Sequence, residues 1–204
     1  MLKIYGSKTS SNVQKVLWCC GEIGLAFERI EIGEAFGGLR SAGYLALNPN
    51  GLMPTIDDNG FILWESNVIV RYLAARHSMG RLYPADPAER ADCERWMDWQ
   101  QTSLVPQMGP AFRALLRQPR EEMPEAQLKA VIEKAANLWR MLDARLANRP
   151  FIGGDALTIA DIALGNAVHR WFKLPIDRPE LPRLRAWYDR CCGRAAYQQH
   201  IASI

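Results

Sequence analysis

No apolar run in the chain approaches the roughly 20 residues needed to cross a bilayer. The start, Met1-Leu2-Lys3-Ile4-Tyr5-Gly6, is far shorter than a secretory core. Neither a membrane span nor an export signal is expected, and the protein is read as cytosolic. Charge of one sign is also scarce. A net +3, from 25 Lys and Arg against 22 Asp and Glu with the arginines scattered, is too mild to argue for a nucleic-acid partner, although it suits small anionic substrates. Histidine is limited to His77, His169 and His200, and none sits in a recognisable nucleophile–base motif. His77 reads as a cationic partner for the last turn of its helix. Cys-x-x-Cys is absent. Cys19, Cys20, Cys93, Cys191 and Cys192 make two adjacent pairs and a single, which is not a metal-ligand spacing, so no metal is expected. An odd count in a reducing compartment points to free thiols.

What is present is an ordinary soluble composition, 49% hydrophobic over 204 residues, enough for one large domain or two small ones. Leu2 to Tyr5 reads as a short strand. A polar turn then leads into a helix on which Val13, Val16, Leu17, Cys20 and Gly24 recur at helical spacing. Phe27 to Ile32 alternates as a strand. A loop through Gly33, Gly37 and Gly38 and a short helix around Tyr44 to Leu47 follow. Thr55-Ile56-Asp57 and Phe61-Ile62-Leu63 flank Asp58-Asn59-Gly60, a strong hairpin turn, and a further helix begins near Ser66. The β-α-β then β-β-α order predicts a thioredoxin-like domain over residues 1–78. Residues 79–87 break every period and read as a linker.

After Pro87 no strand pattern appears, so residues 88–204 are expected to form an all-helical domain. One long helix spans Ala88 to about Leu116 with a bend at Pro106, and Pro119 and Pro124 enclose its turn. Leu128, Val131, Ile132, Ala135, Leu138, Leu142 and Leu146 form the stripe of the next. Thr158-Ile159-Ala160-Asp161 is a capping box with Leu157 and Ile162 placed as its staple. Two more helices are expected, around Leu181 to Cys191 and Ala195 to Ile201.

The segment that speaks to function is Asn48-Pro49-Asn50-Gly51-Leu52-Met53-Pro54, followed across the hairpin by Leu63-Trp64-Glu65-Ser66-Asn67. Pro54 stands at the start of a strand, where no ladder donor is needed. Were the Met53-Pro54 bond cis, Met53 would turn its amide and carbonyl outward as a short strand edge, open to an extended peptide. Ser66 reads as the N-cap of the helix carrying Ile69, Tyr72 and Leu73, so backbone amides and the positive end of a helix dipole lie there for a carboxylate. Glu65 alongside can take an ammonium. The pair matches the α-amino and α-carboxylate groups of an amino acid.

These residues resemble the glutathione transferase family, and the likeness covers essentially the whole chain. The resemblance is to cytosolic, bacterial serine-type members, theta-like or nu-like. It implies a cis proline at Pro54, main-chain pairing of Met53 with the cysteinyl unit of glutathione, and a grip by Glu65 and Ser66 on its γ-glutamyl end. It also implies homodimerisation and a role in detoxification. The Thr158–Asp161 box resembles the capping signal of the family's buried central helix. One departure is Leu52, where several members have Lys or Gln; Arg40 or main-chain amides are left to hold the glycyl carboxylate.

The chemistry falls to the turn Ser7-Lys8-Thr9-Ser10-Ser11-Asn12. Glutathione's thiol, with a pKa near that of free cysteine at about 8.5, is mostly protonated at neutral pH, and attack needs the thiolate. A hydroxyl donating to the sulfur at a helix N-terminus stabilises the anion. Ser11 with Gln14 fits a capping box, which leaves Ser10 freer to face the sulfur; the resemblance favours Ser10 over Ser11 and implies Asn12 as a second donor or orienter. Tyr5 is the less favoured hydroxyl. Trp96, Trp99, Gln100 and Ser103 recur at one-turn spacing and are expected to line an electrophile site between the domains. The expected activity is conjugation of the glutathione thiol to small apolar electrophiles. A glutathione-dependent disulfide reductase is the alternative enzyme, and a non-enzymatic binding module the alternative of another class.

Overall fold

The structure, a computed structural model, describes residues 1–116 and 122–202. It divides into two compact units, Met1–Ala85 together with Arg194–Ile204, and Asp86–Gly193. The segment after Gly193 thus packs with the amino-terminal unit, whereas the sequence reading groups it with the helical domain.

The first unit is a four-stranded mixed sheet with helices. β1 (Leu2–Tyr5), α1 (Ser11–Ile23) and β2 (Phe27–Ile30) form the parallel β-α-β half; β3 (Thr55–Asp58), β4 (Phe61–Trp64) and α4 (Ser66–His77) complete it. The strand order is β2-β1-β3-β4, with β1 antiparallel to β3 and β3 to β4. Asp58 pairs with Phe61, so the hairpin loop is Asn59-Gly60, and both residues have positive φ, 54° and 94°. That conformation is the reason for an Asn-Gly pair there. Between the halves lie α2 (Ile32–Phe36) and α3 (Ala42–Leu47), the latter capped by Ser41. The sequence reads α2 as loop, because its glycines mask a single turn whose Ile32 is buried beside Tyr5 and Tyr44.

The carboxy-terminal segment holds α1 from the side. Arg194 donates from Nε and Nη2 to the Glu22 carboxylate at 2.7 and 2.5 Å, Trp18 Nε1 donates to the same group at 2.8 Å, and Tyr197 packs edge-on against Trp18. α10 (Ala195–Tyr197) continues as a π-helical turn, Gln198–Ala202.

The second unit is helical: α5 (Pro87–Trp99), α6 (Val105–Leu115), α7 (Glu125–Arg145), α8 (Ile159–Lys173) and α9 (Pro182–Cys192). Asp86 caps α5 by accepting from the amides of Ala88 and Glu89. The irregularity expected at Pro106 is a π-helical turn just before it, Gln100–Leu104; Pro106 itself falls in the first turn of α6, where a missing N–H is harmless. Pro119, expected to enclose the following turn, lies outside the described residues. The stripe of α7 is buried at Ala135, Leu142 and Leu146, and Trp139, absent from the expected stripe, is buried completely.

The capping box of α8 is present. Asp161, fully buried, accepts from the Thr158 amide and hydroxyl, from the Ile152 amide at 2.9 Å and from Trp187 Nε1 at 2.8 Å. Burial pushes its carboxyl pKa up, and these donors pull it back toward the ionised form. Leu157 and Ile162 are both buried, as a staple requires. Asp161→Ala orphans the buried donors and is expected to lower stability by about 3 kcal/mol or more, read from urea unfolding.

Candidate functional site

One row across the sheet assembles the site. Tyr5 pairs with Thr55, and Thr55 with Trp64. The chain therefore leaves β1, approaches β3 and leaves β4 at the same end of the sheet. This places the turn 6–12, the Met53-Pro54 pair and the Glu65-Ser66 pair at one edge of the unit. α1 and α4 both start there, each long enough for its free amides and dipole to matter.

The loop before β3 is held from inside. Tyr44 Oη donates to the Leu52 carbonyl at 2.7 Å and Asn48 Nδ2 to the same oxygen at 2.8 Å; both also meet the Thr55 hydroxyl, at 2.9 and 3.2 Å. Asn48 Oδ1 accepts from the Asn50 amide, and Gly51, at φ 58°, lies where a Cβ would come 2.9 Å from the Leu39 carbonyl and the Arg40 guanidinium. Only glycine suits that turn. Arg40 lies alongside and donates to the Asn50 carbonyl at 3.3 Å. The Leu52 side chain is 58% exposed while its carbonyl is tied inward.

The Met53-Pro54 bond is cis. Met53 lies just beyond the first paired residue, Thr55, so its main chain stands outside the ladder at the start of β3, itself a central strand. Its sulfur accepts from the Ser7 amide at 3.4 Å, which ties the first turn to this segment.

At the first turn the cap is shifted by one. Ser10, not Ser11, is the N-cap of α1, and its side chain makes no capping bond. Gln14, expected to close a capping box, is buried and donates to the Lys8 carbonyl at 3.0 Å. Ser10 is half-buried and Asn12, in the first turn of the helix, is exposed. At α4 the shift is the same. Glu65 is the N-cap, held at φ 73°, and Ser66 is the first helical residue, so Ser66 presents its amide as well as its hydroxyl. Ser66 is buried and Glu65 exposed.

Behind this turn stands a residue the sequence does not single out. Lys15, on α1, is 4% exposed and donates from Nζ to Asn67 Oδ1 at 2.9 Å. Burial lowers its pKa to about 7, and the Glu65 carboxylate acts the other way. In the sequence Lys15 looks like one of the polar residues on a surface helix.

All five cysteines are free, and the four on α1, α5 and the inner face of α9 are buried. Burial pushes Cys20 up to about 12 and holds Cys19 well above the usual thiol range. Among the described residues no group of three His, Cys, Asp or Glu side chains gathers as metal ligands.

In the helical unit, Trp96 and Trp99 meet edge-to-face, 5.2 Å between ring centroids. With Arg95, Met141 and Arg145 they line a pocket of about 430 Å³. Gln100 is buried and Ser103 half-buried in the adjoining π-helical turn; neither is among the pocket's lining residues.

The pattern of the glutathione S-transferase N-terminal domain matches residues 9–76, and that of the C-terminal domain matches residues 125–190. The glutathione S-transferase GstB of Escherichia coli is 37% identical over 98% of both chains. The chain belongs to the glutathione S-transferase family. A theta-class glutathione S-transferase from the citrus canker pathogen Xanthomonas axonopodis pv. citri, solved with glutathione bound, superposes with a TM-score of 0.91 at 45% identity, over 98% of this chain and 96% of that one. The disulfide-bond oxidoreductase YfcG of Escherichia coli, 29% identical over 98% of this chain and 94% of its own length, is a further relative. The mixed sheet followed by a helical domain is thus the glutathione S-transferase fold.

The buried lysine has a consequence for stability. With its folded pKa below the unfolded value near 10.4, the unfolded chain binds more protons between the two, so stability rises with pH above about 7. Urea unfolding between about pH 7 and 8.5, below the thiol range, is expected to show that rise, and Lys15→Met to flatten it.

Proposed function

We propose that this glutathione S-transferase activates the glutathione thiol with Ser10 and adds it to small apolar electrophiles. The observation that carries the reading is the common row of Tyr5, Thr55 and Trp64, which brings a hydroxyl that makes no capping bond, the Met53-Pro54 segment outside the ladder and a helix N-terminus beside a carboxylate to one edge. Glu65 takes the α-ammonium of the γ-glutamyl unit, and Ser66 takes its α-carboxylate at the start of α4. The main chain of Met53 pairs with the cysteinyl unit. The sulfur then lies by Ser10, whose hydroxyl donates to it; the thiol proton leaves to solvent, and the thiolate forms the bond to the electrophilic carbon, whose leaving group, chloride in a chloro-nitroaromatic, departs with the electron pair of the bond it breaks. Asn12, at the N-terminus of α1, supports the same anion. Positioning and thiolate stabilisation make up the catalysis, without a covalent enzyme intermediate. Trp96 and Trp99 supply apolar surface for the electrophile, with Gln100 and Ser103 on the adjoining turn. Homodimeric assembly and a cytosolic setting rest on family membership.

A second reading draws on the relative named as a disulfide-bond oxidoreductase: the bound thiolate attacks a disulfide sulfur and displaces the other half as thiolate. Parallel assays with a chloro-nitroaromatic and with a small symmetrical disulfide separate the two.

Ser10→Ala is expected to move the acidic limb of the pH–rate profile upward, since each tenfold loss of thiolate corresponds to about 1.4 kcal/mol. An unchanged profile would count against Ser10. Glu65→Ala is expected to weaken glutathione binding by about 2 to 3 kcal/mol in calorimetry, as for a charge-assisted contact.

A further inference from the structure

Lys15 lies one layer behind the proposed grip. A lysine is seldom buried this completely, because its ammonium gives up hydration that a single acceptor does not replace. Its neighbours on α1, Val13, Val16 and Leu17, are buried apolar residues, and an apolar side chain at position 15 would fill the same layer without desolvating a charge. A residue that costs the fold stability has its use elsewhere, and its surroundings indicate where. Its ammonium is hydrogen-bonded to Asn67 and faces the charge of Glu65. These are the two neighbours of Ser66. Glu65 is held at φ 73°, a conformation a non-glycine residue adopts only under constraint from its surroundings.

We propose that Lys15 is a positioning residue of the γ-glutamyl site: through Asn67 and Glu65 it holds the Glu65-Ser66-Asn67 turn in the geometry that receives the ligand's α-amino and α-carboxylate groups. This rests on the reading of Glu65 and Ser66 as the γ-glutamyl contacts. α4, which packs against α1, also carries Arg71 one turn after Asn67, Arg76 by Asp58 and Tyr72, and His77 in its last turn. At the end of α1 away from Ser11, Glu22 pairs with Arg194, Arg81 donates to the Glu22 carbonyl and His200 lies beside Gly21. From α4 the charge that acts on Lys15 is Glu65. Because burial draws the ammonium's pKa down to about 7, the charge holding the turn is lost as pH rises through neutrality.

The test is calorimetric binding of S-methylglutathione, which has no thiol to titrate, at about pH 6, 7 and 8 to the wild type and to Lys15→Met, with folding checked by circular dichroism. The wild type is expected to bind several-fold more weakly at about pH 8 than at about pH 6; Lys15→Met to bind about tenfold more weakly than wild type at pH 6, with affinity flat across the range. In steady state, KM for glutathione rises in the variant while kcat at saturating glutathione and KM for the electrophile hold. Should Lys15→Met not fold, Lys15→Gln, which keeps a donor but no charge, is measured for loss of the same pH dependence. A folded variant with wild-type affinity and an unchanged pH profile overturns the role of Lys15. A wild-type protein that fails to bind S-methylglutathione at millimolar concentration overturns the reading of Glu65 and Ser66 instead.

Discussion

Two buried donors, the Tyr44 hydroxyl and the Asn48 carboxamide, converge on the carbonyl of Leu52 and on the hydroxyl of Thr55. A loop running over the end of a sheet has few backbone partners of its own, and without such anchors it samples many conformations. Here the side chains of α3 hold the oxygen just before Met53 and the first ladder residue after Pro54. The backbone of Met53 is thereby held between two fixed points. The same row of the sheet then carries the register to Trp64, so the reversal at Glu65 starts from a defined place. Loss of the inner anchors would loosen every feature that this edge presents.

Two buried charges illustrate different uses of the same expense. Asp161 is surrounded by donors from three separate segments, and its carboxylate joins the start of α8 to α9 and to the loop at Ile152. Its environment is saturated, as a structural charge requires. Lys15 has Asn67 and the field of Glu65, and its ammonium is less well compensated. The first charge belongs to the fold, and the second lies against the turn that the ligand would use.

Much of this was legible because it is local. The hairpin at Asn59-Gly60, the box at Thr158 and the turn-forming run before Pro54 each follow from the conformational preference of a few adjacent residues. The same locality explains the errors at both caps. Ser10 and Ser11 are chemically alike, and a carboxylate at positive φ, as at Glu65, has no pattern in sequence. Lys15 escaped notice because a lysine on a helix normally marks the solvent side, and only packing against α4 reverses that. Tyr44 read as a residue of a short helix, since its hydroxyl acts on a carbonyl eight residues away. The placement of Arg194 was beyond reach for the same reason: its partner, Glu22, is 172 residues distant.

That distance has a meaning for how the protein comes into being. The amino-terminal unit is not one stretch of its own messenger, because the flank of α1 that carries Trp18 and Glu22 is covered by Tyr197 and Arg194. On the ribosome the first 85 residues emerge long before that cover is made. An indole and a carboxylate on α1 must wait, with their mutual hydrogen bond but without their far partners, until residues 86–193 have been synthesised. The amino-terminal unit is therefore begun before the helical unit and finished after it.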